Sequence, residues 1–177
     1  MKTVIVYNSK TGFTEKYAMW IKEALDADCC KLADAKNVDF NKYDAIVFGS
    51  WACAGNVTKS KWFFNRVPAW KDKCLVLYAV GGGPKENNPD VDAFLETAIP
   101  PEYSNAKAFY CQGGFNYDKM DVPSRLAMKM FVKMLKSKKD ATDKDRTMAE
   151  MISQSYDISD RKYIDPIVEY IENWTKN

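Results

Sequence analysis

Histidine is absent from all 177 residues of the chain. Without an imidazole, the sequence excludes Ser-His-Asp and Cys-His catalysis, as well as any metal site built on histidine ligands. Redox or group-transfer chemistry would therefore depend on an external cofactor. We assign no side chain as a catalytic acid or base.

Cysteines are present, but their pattern is not that of a metal site. The five are Cys29, Cys30, Cys53, Cys74 and Cys111. Their odd number and the lack of CxxC spacing argue against a zinc site and against a disulfide framework. We expect no metal site, and we expect reduced and mostly buried thiols. The adjacent pair Cys29 and Cys30 would form a disulfide only with strain.

Long apolar runs are also missing. No run approaches the roughly 20 residues that a helix needs to span a bilayer. The apolar stretch at Val4–Tyr7 is too short for the core of a signal peptide. With 46% hydrophobic and 28% charged residues, the composition is typical of a globular protein. We therefore expect one cytoplasmic domain over residues 1–177.

Five short β-type runs alternate with helical stretches. Three of the runs are almost continuously apolar, which is typical of strands buried on both faces of a parallel sheet. The pattern predicts an α/β fold with a doubly wound parallel sheet of five strands and helices on both faces. The predicted strands are Thr3–Tyr7, Asp28–Ala33, Asp44–Ser50, Lys73–Val80 and Ala106–Gln112. The predicted helices between and after them are Thr14–Leu25, Lys59–Val67, Pro89–Ala98 and Arg161–Trp174.

A segment of about fifty residues separates the fifth strand from the last helix, where a few would be enough. We expect an extra helical segment at about 115–160. Within it, Pro123–Lys139 predicts a Met-rich helix with a stripe of Lys129, Lys133 and Lys136. Such a helix is either packed with a solvated lysine edge, or docked on an apolar partner, substrate or membrane surface. The polar stretch that follows predicts a loop.

The loop after the first strand has the composition of a phosphate site. Ser9–Thr14 carries three hydroxyls at the start of a predicted helix, and Gly12 allows close backbone approach. Neither the P-loop motif nor GxGxxG is present, so the loop suits one terminal phosphate monoester. The alternative is a hydroxyl-rich turn that only caps the helix.

The stretch "SKTGFT" after "VIVYN" resembles the phosphate loop [ST]-x-T-G-x-T of flavodoxins. This resemblance covers most of the chain and implies a sheet of order 2-1-3-4-5 and FMN as the cofactor. Two features resemble the subgroup that includes menaquinone-dependent protoporphyrinogen dehydrogenases. They are "GSWACAGN" after the third strand and the basic, Met-rich segment after the fifth.

The resemblance also implies which residues bind the cofactor. The phosphate would be held by Ser9, Lys10, Thr11, Gly12, Phe13 and Thr14. The first loop at the flavin ring would be Ser50, Trp51, Ala52, Cys53, Ala54, Gly55 and Asn56, and the second would include Val80, Gly81, Gly82 and Gly83. Flavodoxins often stack an aromatic residue at the position of Ala54. Either Trp51, Phe115 or Tyr117 covers the ring instead, or the ring lacks a stacking partner and is more exposed, with the site open to a substrate; Trp51 could equally be a core residue.

Three functions follow as alternatives. The first is an FMN-binding redox protein that transfers electrons to a partner protein. The second is an FMN-dependent oxidoreductase of the protoporphyrinogen dehydrogenase type, acting on a quinone or another bulky apolar substrate. The third is an interaction domain without flavin. With 26 Lys and Arg against 24 Asp and Glu, the chain lacks the acidic surface of a typical flavodoxin shuttle. We expect no nucleic-acid partner, and leave open a peripheral membrane contact through Pro123–Lys139.

Overall fold

Five parallel strands form the central sheet of the computed structural model, which describes residues 1–175 apart from the side chain of Lys144. The last two residues of the predicted domain, 176–177, lie outside the described residues. The strands are β1 (Thr3–Tyr7), β2 (Asp28–Lys31), β3 (Ala45–Cys53), β5 (Cys74–Gly81) and β6 (Ala106–Gln112). Their order is β2-β1-β3-β5-β6, which confirms the predicted doubly wound α/β fold.

Helices cover both faces of the sheet, so the inner strands are buried on both sides. All eight residues of β5 are buried. Successive residues point to opposite faces, so Val76 packs on one face and Leu75 on the other. The helices are α1 (Phe13–Leu25), α2 (Ser60–Phe64), α3 (Pro89–Ala98), α4 (Val122–Ser137), α5 (Asp143–Met151) and α6 (Asp165–Glu172). Within residues 1–175 none of them is both long and apolar enough to cross a membrane.

Two predicted helices differ from the structure at their ends. The helix predicted at Lys59–Val67 ends at Phe64, and a separate 3-10 turn follows at Val67–Trp70 with a proline in its first positions. The last helix begins as a 3-10 turn at Arg161–Ile164 before α6. Proline lacks an N–H group, and for this reason it favours the start of a helix over its interior.

The third strand is longer than predicted. It continues beyond Ser50 to Cys53 and pairs antiparallel with the short strand β4 (Asn56–Val57). Ala54 and Gly55 connect the two strands with φ angles of 48° and 76°, as in a two-residue turn with both residues left-handed. The predicted ring loop Ser50–Asn56 is therefore part of a β-hairpin, and the predicted end of the third strand at Ser50 was three residues too early.

The segment after β6 folds into two helices, α4 and α5, framed by two short strands. These are β7 (Gly114–Phe115) and β8 (Tyr156–Asp157), which pair antiparallel, so the segment leaves the sheet and returns to the same place. The predicted polar loop after α4 was wrong in part, because α5 begins at Asp143 with a capping box between Thr142 and Asp145.

The cysteines are free thiols, but fewer are buried than expected. Only Cys74 and Cys111 are buried, whereas Cys29 and Cys30 are half-buried and Cys53 is exposed. Burial raises the pKa of the Cys74 and Cys111 thiols to about 12. These two thiols are therefore protonated at neutral pH and act as apolar core residues.

Candidate functional site

A cavity of about 530 Å³ lies between the carboxyl ends of the central strands and the segment that follows β6. Open parallel sheets bind ligands at this edge, where the strand order reverses. From the sheet and its loops the cavity is lined by Lys10, Thr11, Phe13, Thr14, Trp51, Ala52, Cys53, Ala54, Val80, Gly81, Gly82 and Gly83. The structure thus brings most of the predicted site residues from all three loops together.

The loop after β1 ends in a sharp turn at the start of α1. Gly12 has a φ of +102°, a conformation that residues with a Cβ rarely adopt. Its N–H donates to Ser9 Oγ at 3.2 Å, and its carbonyl accepts the first α1 hydrogen bond, from the Lys16 N–H at 2.9 Å. The N–H groups of the intervening first turn therefore have no partner within the helix, and they form a positive end that favours an anion.

Lys10 connects this loop to α4. Its Nζ lies 2.7 Å from the carboxylate of Asp121 and donates to Ser124 Oγ at 2.7 Å. Asp121 also caps α4 by accepting from the Ser124 N–H. The hydrogen bond from Lys10, then those from Ser124, hold the pKa of the Asp121 carboxyl well below its usual range. At neutral pH the carboxylate is charged, and its ion pair with Lys10 holds the loop after β1 against the start of α4.

The hairpin after β3 forms one wall, but not all of it faces the cavity. Trp51 is half-buried and lines the wall with the three residues after it. Gly55 and Asn56 lie outside the lining. Ser50 is fully buried, and its Oγ accepts a hydrogen bond at 3.1 Å from Nδ2 of Asn8, the residue directly before the loop Ser9–Thr14. Ser50 therefore holds Asn8 in place and does not itself line the cavity.

Packing requires glycine at the last position of β5 and at the position directly after it. A Cβ on Gly81 would lie 2.3 Å from the Tyr110 hydroxyl oxygen, and one on Gly82 would lie 2.4 Å from the Phe115 ring. The Tyr110 hydroxyl donates to the Gly83 carbonyl at 2.8 Å, and the Tyr156 hydroxyl donates to the Gly82 carbonyl at 2.6 Å. This stretch is thus locked by residues of β6, β7 and β8.

The opposite wall comes from the segment after β6, and most of its residues were not predicted as site residues. They are Gly114, Phe115, Met120, Ser124, Ala127, Met128, Phe131, Met148, Met151 and Ile152. Phe115 lines the cavity, as one of the aromatic residues proposed to cover a ring. Tyr117 does not, since its hydroxyl donates to the Ile152 carbonyl. The spacing of Met148, Met151 and Ile152 after the capping box was the signal that could have identified α5.

The outer face of α4 is apolar and faces solvent. Val122, Leu126, Met130 and Met134 recur every four residues, and their exposed fractions are 76%, 58%, 64% and 56%. No acidic residue occurs between positions 122 and 139, where the cations include the predicted lysine stripe. The buried contacts of α4 lie on its other side, where Leu135 packs with Ala149 and Ile152. Core packing therefore does not explain the exposed apolar face.

These features define a class of protein: a doubly wound α/β fold with a hydroxyl-bearing loop at a helix N-terminus, beside an apolar cavity at the switch point of its sheet. The chain belongs to the flavodoxin domain family, whose model matches residues 4–142. The match ends within the segment that forms the second cavity wall.

Proteins similar to this chain include a sequence relative and two solved structures. The flavodoxin-like domain-containing protein BilS of Clostridioides difficile (strain CD3) is 26% identical over an alignment of 121 residues that covers 64% of this chain and 66% of that protein. The match thus spans just under two thirds of that relative. Among solved structures, the flavodoxin, WrbA-like protein from Agrobacterium tumefaciens is 19% identical, with 70% of this chain and 87% of that chain covered and a TM-score of 0.48. A flavoprotein in complex with FMN from Lactobacillus acidophilus NCFM is also 19% identical, with 63% and 91% covered and a TM-score of 0.44.

Proposed function

We propose that this chain binds FMN in the cavity and transfers electrons through the bound flavin. One observation carries the proposal most strongly: the start of α1, with its unpaired N–H groups and hydroxyls, meets an apolar cavity at the switch point of a flavodoxin sheet. Membership of the flavodoxin domain family supports the same conclusion.

The residues present fit FMN at both ends of the molecule. The loop Ser9–Thr14 offers hydroxyls and the helix N-terminus to a phosphate. The cavity offers aromatic and apolar surface from Phe13, Trp51, Phe115 and Phe131 to a planar ring. When bound, the flavin would supply hydride and electron transfer. The role of the protein would be to bind and orient the cofactor and to keep water from one side of it.

Purification and titration test this proposal. We expect the purified protein to be yellow, and we expect the apoprotein to bind FMN much more tightly than FAD, because the loop encloses a terminal phosphate. Fluorescence quenching measures both dissociation constants. A colourless protein that binds no added flavin would contradict the proposal and would favour the interaction domain without flavin.

A second candidate is an FMN-dependent oxidoreductase for a bulky apolar substrate. The observation that favours it is the cavity wall of methionines, namely Met120, Met128, Met148 and Met151. Methionine side chains are flexible and adapt to irregular apolar shapes. We infer that a quinone or a porphyrinogen would reach the cofactor along this wall. Anaerobic mixing of the flavin-loaded protein with each compound tests this, and turnover of neither would leave the electron carrier as the better account.

We further propose that a redox protein with an acidic docking surface binds the outer face of α4. Lys129, Lys133 and Lys136 are exposed on this helix, which contains no acidic residue, and in sequence they alternate with residues of the exposed apolar row. A second copy of the chain is disfavoured, because two such faces would repel each other. Phe131, which lines the cavity and is also 39% exposed, would place the partner close to the cofactor.

Charge reversal tests this docking. Lys129, Lys133 and Lys136 are replaced together by glutamate, and electron transfer to an acidic ferredoxin is measured at low and high salt. We expect slower transfer at low salt, with FMN affinity nearly unchanged. The control replaces Lys42, Lys71 and Lys107, which lie at the opposite edge of the sheet. Equal rates for wild type and the α4 variant at low salt would contradict docking, and binding to anionic vesicles alone would favour a membrane contact instead.

A further inference from the structure

The segment after β6 places an ammonium group over the phosphate loop. Lys119 Nζ lies 3.5 Å from the position that a Cβ on Gly12 would occupy. Gly12 is the turning point of the loop, and the next residue of the segment, Met120, lines the cavity. The cation therefore lies beside the end of the cavity where the N–H groups of α1 converge.

The backbone that carries Lys119 is held in place by the rest of the segment. Lys119 ends a 3-10 turn at Tyr117–Lys119, and its N–H donates to Asn116 Oδ1 at 3.1 Å. The Tyr117 N–H donates to Ser155 Oγ at 3.0 Å, and the Tyr117 hydroxyl donates to the Ile152 carbonyl. The turn is thus attached to the chain between α5 and β8, which fixes the starting point of the lysine side chain.

The two lysines near the loop differ in their partners. The charge of Lys10 is largely balanced by Asp121, at 2.7 Å. Lys119 makes no side-chain hydrogen bond or ion pair with the part of the chain that the structure describes. An unbalanced cation beside converging N–H groups attracts an anion more strongly than either feature alone.

We propose that Lys119 binds the phosphate group of the cofactor, so that the segment after β6 completes the phosphate site as well as the cavity wall. This inference rests on the proposed function. It assigns a cofactor-binding role to a residue outside the three loops at the carboxyl ends of the strands. It also gives a physical reason for the chain to favour a phosphorylated flavin over a neutral one.

Three variants of the apoprotein test the role of Lys119. Lys119→Met removes the charge and keeps most of the apolar stem, and Lys119→Arg keeps the charge. Lys107→Met is the matched control, because it removes one exposed lysine near the amino end of β6, at the far edge of the sheet. The dissociation constants of FMN and riboflavin are measured by fluorescence quenching at low and high salt.

We expect Lys119→Met to weaken FMN binding about tenfold at low salt, which is at the lower end of the range for a charge-assisted hydrogen bond. Riboflavin binding should change less than twofold, since riboflavin has no phosphate. Lys119→Arg should stay close to wild type. The difference between Lys119→Met and wild type should shrink at high salt, where the charge is screened.

Equal losses for FMN and riboflavin would overturn the inference, because they would show a general change of the cavity. An FMN affinity of Lys119→Met that matches the Lys107→Met control would overturn it as well. Both outcomes leave FMN binding by the wild type intact. Failure of the wild type to bind any flavin would instead remove the proposed function itself.

Discussion

The parallel sheet and the segment after it differ sharply in burial. Every residue of β5 is buried, whereas α4 buries only Leu135 among its 16 residues. The sheet has an extensive core on each face, and the segment has one small cluster of three buried residues, Leu135, Ala149 and Ile152. The two regions therefore have different tasks: the sheet fixes the loops in place, and the segment forms a cavity wall with few buried apolar contacts, which is typical of regions of low local stability.

Truncating one buried leucine in each region should reveal the largest difference, which is in the free energy of unfolding. Leu77 in β5 is fully buried, so Leu77→Ala should lower the free energy of unfolding by about 2–5 kcal/mol. Leu135→Ala should cost less, because the small cluster around it can relax into the space. Urea denaturation of both variants measures the two losses. Equal losses would mean that the segment is packed as firmly as the sheet.

The phosphate loop should be the most sensitive part of the sheet's binding edge. Thr11→Ala combined with Gly12→Val should weaken FMN binding more than riboflavin binding. Each charge-assisted hydrogen bond that is lost costs about 1.5–3 kcal/mol, and a valine at Gly12 is strained at its φ of +102°. Titration with both ligands separates the phosphate effect from a general change, and equal losses would show that the loop does not hold the phosphate.

The sheet and the position of the loop Ser9–Thr14 at the cavity could be predicted because both depend on local patterns. The apolar runs at Thr3–Tyr7 and Lys73–Val80 have no polar alternation, and they match β1 and β5 within one residue. The hydroxyls of Ser9–Thr14 directly follow a strand, so their place at the cavity follows from the fold.

The features that the sequence did not predict depend mostly on contacts between residues that are far apart in the chain. Nothing near Ser50 in the sequence shows that β3 continues to Cys53 and turns back, since Ala54 adopts a left-handed conformation that alanine rarely takes. The need for glycine at position 82 also comes from a residue far away in the sequence, because a Cβ there would collide with the ring of Phe115. The start of α5 was locally visible in the capping box at Thr142, but its charged residues obscured it.

The titration of the FMN phosphate should change FMN binding less than the substitutions in the loop do. The chain has no histidine, so no side chain with an ordinary pKa changes charge between pH 5 and 7. A phosphate monoester has its second pKa near 6 and is a dianion only above it. FMN binding should therefore weaken several-fold as the pH falls from 7 to 5, while riboflavin binding stays constant. A parallel change for both ligands would point to the protein instead.

The smallest effect should come from the outer face of α4. Leu126 is 58% exposed, so Leu126→Ala should change the free energy of unfolding by no more than about 0.5 kcal/mol. Together with Leu77→Ala and Leu135→Ala it completes a graded series of one substitution in three environments. A loss above about 1 kcal/mol by urea denaturation would show that this face is packed and unavailable to a partner.

Titration of the wild-type apoprotein with FMN and riboflavin tests the central claim most directly. If the flavin ring lies in the cavity, both ligands should bind. If the phosphate group lies against the start of α1, FMN should bind at least about tenfold more tightly than riboflavin. Equal affinities would contradict the phosphate site, and binding of neither ligand would contradict the assignment of the cavity to a flavin.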